Sequence, residues 1–129
     1  MTFFDSNILI YFIENDQEFG LQAAQALTAA IESGRATFSV LAITELTSHK
    51  QTEGQRKKLV QLEQLVEFYD FTKDIAKKAG ELRSNHTGLR TPDAIHLATA
   101  IEFGANKLLT NDKNLAKIAS SYIPTKTIG

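Results

Sequence analysis

The sequence predicts a three-layer α/β/α domain built on a mostly parallel sheet, and three observations lead there. Short apolar runs suited to strands alternate with longer stretches of helical periodicity. The 129 residues, 43% hydrophobic and 22% charged, have the composition of one compact globular domain spanning residues 1–129. Acidic residues stand at the ends of the apolar runs, where the loops of a parallel sheet gather around a ligand.

Each element follows from local signals. Thr2-Phe3-Phe4 reads as a short buried strand ending at Asp5, with Ser6 or Asn7 capping a helix over Ile8–Ile13. Leu21, Ala24, Leu27 and Ile31 recur at helical spacing and mark a second helix, stopped at Ser33-Gly34. Thr37–Val40 is a second strand, and Leu41–Ser48 a helix carrying Glu45. Lys50–Lys58 is polar, contains a glycine and reads as a connection, after which Leu59, Leu62, Leu65 and Val66 resume a helical stripe. Phe68-Tyr69-Asp70-Phe71 reads as a third strand, and Thr72 caps a helix that turns Ile75, Ala79 and Leu82 inward. Thr91 and Pro92 suit the cap and first position of a small-residue helix over Ala94–Phe103, closed by Gly104. Lys107–Thr110 is a fourth strand, Asn111-Asp112 opens another helix, and Tyr122–Ile128 holds the last strand.

Composition excludes several chemistries. The absence of cysteine removes thiol nucleophiles, iron–sulfur ligation, thiolate zinc sites and disulfides, and fits a reducing, cytoplasmic setting. Fourteen Lys and Arg against fifteen Asp and Glu leave a net charge of −1, so nucleic acid would have to be gripped by local patches. No run approaches the ~20 apolar residues of a membrane span, and Asp5 interrupts the N-terminus before a signal-peptide core can form. A soluble protein is expected.

Asp5, Glu45, Asp93 and Asp112 are far apart in sequence, yet a parallel sheet would bring all four to one edge. Clustered carboxylates suit hard divalent cations such as Mg²⁺ and Mn²⁺, which favour oxygen ligands and assist phosphodiester hydrolysis. Without a cation the same groups repel one another. Taken singly, Asp93 and Asp112 also suit helix starts, and Glu45 a solvated helix face. Asp5, between an apolar strand and an apolar helix, needs a partner for a buried charge. His96 shares a helical face with Asp93 but, on a packed small-residue helix, reads as a hydrogen-bonded helix residue rather than a ligand. His49 and His86 carry no signal. Among the basic residues, Arg90 lies nearest the acidic positions and is expected to touch a substrate phosphate, while Lys50, Arg56, Lys57 and Lys58 read equally as a lining of the approach or as a solvated charge run.

Four strings, Phe4-Asp5-Ser6-Asn7-Ile8-Leu9-Ile10, Ile43-Thr44-Glu45-Leu46, Pro92-Asp93-Ala94-Ile95-His96-Leu97-Ala98-Thr99-Ala100 and Leu109-Thr110-Asn111-Asp112, resemble in order and spacing the PIN-domain ribonucleases. The chain is most similar to the small members that act as VapC-type toxins of bacterial toxin–antitoxin pairs. The resemblance implies an α/β/α PIN-like fold and an endoribonuclease using Mg²⁺ or Mn²⁺. Asp5, Glu45, Asp93 and Asp112 match the catalytic, metal-binding positions, and Asn7 and Thr110 match polar positions that orient them. It further implies an RNA substrate, products with 5′-phosphate and 3′-hydroxyl ends, a cognate antitoxin that covers or disrupts the site, and a homodimer. The competing expectation is a non-catalytic PIN-like module that binds RNA or protein. Receiver-like and haloacid-dehalogenase-like folds fit less well: Asp5 stands alone after the first strand, and the position two residues beyond it is Asn7.

Overall fold

The computed structural model describes residues 1–129. Strands β1 (Thr2–Phe4), β2 (Ala36–Ser39), β3 (Glu67–Tyr69), β4 (Lys107–Thr110) and β5 (Thr125–Thr127) form one sheet in the order β3-β2-β1-β4-β5. Every pairing is parallel, a stricter arrangement than the mostly parallel sheet expected. The helices are α1 (Ser6–Ile13), α2 (Gly20–Ser33), α3 (Leu41–Thr47), α4 (Glu53–Glu63), α5 (Lys73–Asn85), α6 (Thr91–Glu102) and α7 (Lys113–Ala119). None is long and apolar enough to cross a membrane.

Successive strand residues point to opposite faces, so the doublets Phe3-Phe4 and Leu108-Leu109 supply one side chain to each layer. Phe3 and Leu108, paired across β1 and β4, pack beneath α5, α6 and α7. Phe4 and Leu109 pack with Phe38 beneath α1 to α4. The rings of Phe4, Phe38 and Phe68 follow one another across three strands at centroid spacings of 5.4 and 5.3 Å.

Several local expectations need correction. Asp5 itself caps α1, because its carboxylate accepts the Ser6 N–H, a role expected of Ser6 or Asn7. The inner face of α2 runs through Gly20, Ala23, Leu27 and Ala30, and Leu21 is exposed. Glycine suits that start, since a Cβ at Gly20 would meet the Asn15 backbone at a tight 3.1 Å. The polar stretch taken as a connection contains most of α4, whose sparse apolar residues hide its period. Its start is written in a capping box, with Thr52 Oγ1 accepting from Gln55 N and Gln55 Oε1 accepting from Thr52 N. Leu62 and Val66 are core, whereas Leu65 is exposed. Asp70 and Phe71 lie beyond β3, and Tyr122 lies before β5. Replacing Thr52 by alanine is expected to cost about 1 kcal/mol, read as a lower denaturant midpoint at unchanged slope.

Candidate functional site

Chain order reverses at β1, with β2 and β3 on one side and β4 and β5 on the other, so the carboxyl ends of β1 and β4 flank the crevice where parallel sheets place ligands. Asp5 follows β1 directly and is 3% exposed. A carboxylate so deep needs donors, and it has two: Ser6 N at 2.8 Å on Oδ1 and Thr110 Oγ1 at 2.8 Å on Oδ2. The Thr110 hydroxyl, fully buried, also accepts the Asp112 N–H at 3.0 Å, so one group at the end of β4 joins two of the acidic residues. Asp112 Oδ1 caps α7 by accepting from Asn114 N and Leu115 N.

The other two carboxylates arrive from helices on opposite faces of the sheet. Asp93 lies in the first turn of α6, 7% exposed, with Arg90 Nε donating to its Oδ2 at 3.3 Å. Glu45 projects from α3 and meets His96 of α6, with Oε1 2.6 Å from Nε2. That nitrogen also stands 3.8 Å from Asp5 Oδ1. The structure therefore gathers Asp5, Glu45, Asp93 and Asp112 into one neighbourhood, with His96 among them. His96 is packed and hydrogen-bonded, as expected, but its partner is Glu45, 51 positions away, and only its spacing from Asp93 hinted at this site. Asn7 makes its bond elsewhere: its Oδ1 accepts from the Asn111 backbone at 3.4 Å and ties α1 to the turn after β4.

The electrostatics record crowding of like charge. Burial raises the pKa of Asp93 above the ordinary carboxylate value, the charges of Asp5 and Asp112 push the same way, and Arg90 opposes them. For Glu45, burial is outweighed by the His96 hydrogen bond and charge, with help from Ser6 and Arg90, and its pKa falls. For His96, burial opposes protonation, but the Glu45 hydrogen bond and the charges of Asp5, Glu45 and Asp93 prevail, raising its pKa. Its Nδ1 is buried without a hydrogen-bond partner.

A raised Asp93 has a measurable consequence. As pH climbs from the ordinary aspartate value through the raised one, the unfolded chain releases this proton before the folded protein does, so the Asp93 contribution to stability falls. Asp93→Asn is therefore expected to melt higher than wild type in EDTA, by ~4 °C if the relief is about 1 kcal/mol. The difference should grow across that pH window and level off above it. Melting curves between pH 3 and 8 check this.

The donor set suits a hard cation: carboxylate oxygens, buried in Asp5 and Asp93 and partly exposed in Glu45 and Asp112, no thiolate, and excess negative charge that a divalent ion would neutralise. No three of the His, Asp and Glu side chains close into a ready-made coordination cage. Such a cage is not needed for Mg²⁺, which retains waters and binds through one or two carboxylates with substrate phosphate.

The basic residues divide differently from expectation. Arg90 reaches the site and its side chain is 73% exposed. Part of the Lys50–Lys58 segment is tied to the fold: Arg56 Nη1 donates to Gln51 O at 2.7 Å, Lys57 pairs with Glu53 at the surface, and the Lys58 ammonium donates to Phe12 O over the Phe12 ring. Lys50, Arg56 and Lys57 stay exposed, and Lys58 is the one drawn inward.

Among curated proteins, none matches this sequence. Solved structures do. A toxin–antitoxin complex from Klebsiella pneumoniae contains a chain 26% identical, with a TM-score of 0.78, covering 100% of this chain and 98% of that one. VapBC2 from Rickettsia felis, bound to a DNA fragment from its promoter, aligns at 21% identity and TM-score 0.77 over 98% and 97% of the two chains. DNA-bound VapBC from Salmonella typhimurium aligns at 18% identity and TM-score 0.73 over 99% and 98%. The family model for the PIN domain matches residues 2–121, a span that takes in all four gathered carboxylates. The chain belongs to the PIN-domain family.

Proposed function

We propose that this protein is a metal-dependent endoribonuclease that hydrolyses RNA phosphodiester bonds with Mg²⁺ or Mn²⁺, and that it is the toxin of a toxin–antitoxin pair. The observation that carries the reading is the convergence of Asp5, Glu45, Asp93 and Asp112 from four separate parts of the chain, with the Asp93 anion destabilised by burial and then by the charges of Asp5 and Asp112. Membership of the PIN-domain family supports a nuclease, and the toxin–antitoxin complexes among similar structures support an antitoxin partner.

Asp5, Asp93 and Asp112 would hold the cation, with Glu45 completing the set directly or through water. When bound, the cation supplies Lewis acidity, lowers the pKa of water and stabilises the leaving oxygen. The chain's own residues arrange this chemistry. Ser6 N and Thr110 Oγ1 lock both oxygens of Asp5, and His96 holds Glu45 beside it. Arg90, largely exposed and paired with Asp93, can turn its remaining N–H groups to a non-bridging phosphate oxygen. Attack by water with departure of the 3′ oxygen leaves 5′-phosphate and 3′-hydroxyl ends, and no protein nucleophile takes part.

Incubating purified protein with single-stranded and structured RNAs in Mg²⁺, Mn²⁺ or EDTA tests the reading. Cleavage that EDTA stops, with 5′-phosphate products, is expected. Intact RNA under every condition, or EDTA-resistant cleavage, would overturn it. Within this frame Thr110→Val, which keeps shape and removes the hydroxyl, is expected to lower kcat by ~10–100-fold, the usual weight of a group that orients a ligand carboxylate. Steady-state kinetics beside a melting curve checks that loss.

A further inference from the structure

We infer that the groove between the α5–α6 loop and α7 is a nucleotide subsite for single-stranded RNA leading away from the acidic cluster, an inference that rests on the ribonuclease reading above. The groove encloses about 400 Å³, with Asn85, His86 and Thr87 on one wall and Asn114, Lys117 and Ser121 on the other. Both walls are anchored at the site. The first runs through Leu89 and Arg90 into the turn that carries Asp93, and the second begins two residues past Asp112.

Its chemistry fits an unpaired nucleotide. No carboxylate lines it, in a molecule with fifteen of them, and its one charged residue is Lys117, which forms no ion pair. Side-chain amides and hydroxyls can meet base edges, phosphate and the ribose 2′-hydroxyl. Beside the groove Tyr122 is 42% exposed, and its hydroxyl lies 2.6 Å from His86 Nε2, with the two rings edge to face at 5.7 Å. The His86 contact fixes the orientation of this half-exposed ring. Stacked bases inside a duplex cannot reach such a face, so the arrangement selects a single strand. The loop that carries His86 depends on Gly88, whose φ of 88° suits glycine.

The test compares the full-length wild type with Tyr122→Ala, Tyr122→Phe and Lys117→Gln, using a short unstructured RNA. Tyr122→Ala is expected to raise KM roughly tenfold, the loss expected when one base loses its stacking platform, with the effect carried by KM rather than kcat. Tyr122→Phe, which keeps the ring, should recover most of that loss. Lys117→Gln should flatten the dependence of log affinity on log salt by about 0.7, the value of one phosphate contact on a single strand. An enzyme that cuts RNA with KM and salt slope unaltered in Tyr122→Ala and Lys117→Gln would overturn the subsite. If wild type cuts no RNA with any metal, the ribonuclease reading fails, and fluorescence anisotropy with the same RNA decides the groove separately. Binding that Tyr122→Ala weakens would uphold it, and no binding, or binding indifferent to both substitutions, would overturn it.

Discussion

Asp5→Asn is expected to lower RNA cleavage by ~10³-fold or more while leaving a folded protein, since groups that merely orient a ligand are each worth about 10–100-fold. The fold survives because asparagine is as good a helix N-cap as aspartate, and its carbonyl can still accept the Ser6 N–H. What is lost is a negative charge at the centre of the network, one residue beyond β1 and at the point where the sheet reverses its order. Asp5→Ala is the instructive contrast. It strands both the Ser6 N–H and the Thr110 hydroxyl in a site that is 3% exposed, and should cost about 2–3 kcal/mol in addition to activity. Chemical denaturation of both variants, alongside a cleavage assay, separates loss of chemistry from loss of fold.

His96→Ala carries the second large effect, on stability and activity together. The imidazole is wholly buried in α6, so truncation opens a cavity and is expected to cost about 2–4 kcal/mol, as large buried side chains do. It also releases Glu45, whose side chain is 32% exposed and has its shortest side-chain bond to Nε2. We expect kcat to fall by ~10–100-fold. His96→Gln separates the two roles, because an amide can still donate to Glu45: it should recover most of the activity even where stability stays low. Activity that tracks stability alone across the two variants would reduce His96 to a packing residue.

The framework of the fold was legible because doublets such as Phe3-Phe4 and Leu108-Leu109 can only be strands buried on both faces, and because Thr72 and Gly104 bracket their helices as local chemistry requires. The start of α4 was not, since a helix whose first eight residues include Glu53, Arg56, Lys57 and Lys58 has no apolar stripe to announce it, and its signal is the Thr52–Gln55 box. Leu21 misled for the opposite reason. It satisfies the helical spacing, but Gly20 packs closely on the Asn15 and Tyr11 backbone at the end of α1, and the face through Gly20, Ala23, Leu27 and Ala30 is the one buried, which leaves Leu21 outside. For the site, Asp5 was readable from its position between two apolar runs. The His96–Glu45 bond was not, because it depends on α3 and α6 meeting across the carboxyl edge of the sheet. The bond of Lys58 to the Phe12 carbonyl, 46 positions away, is likewise a tertiary fact that charge counting along the chain misses.

A calorimetric titration of Mn²⁺ into wild type, Asp5→Asn and Asp93→Asn, with cleavage followed in the same samples, reads whether the gathered carboxylates bind the divalent ion on which catalysis depends. Ion-dependent catalysis at this site requires saturable binding by wild type, loss of that binding in both variants, and cleavage that rises with occupancy of the site. RNA cleavage by wild type without any bound ion, or equal ion binding by all three proteins, would contradict it.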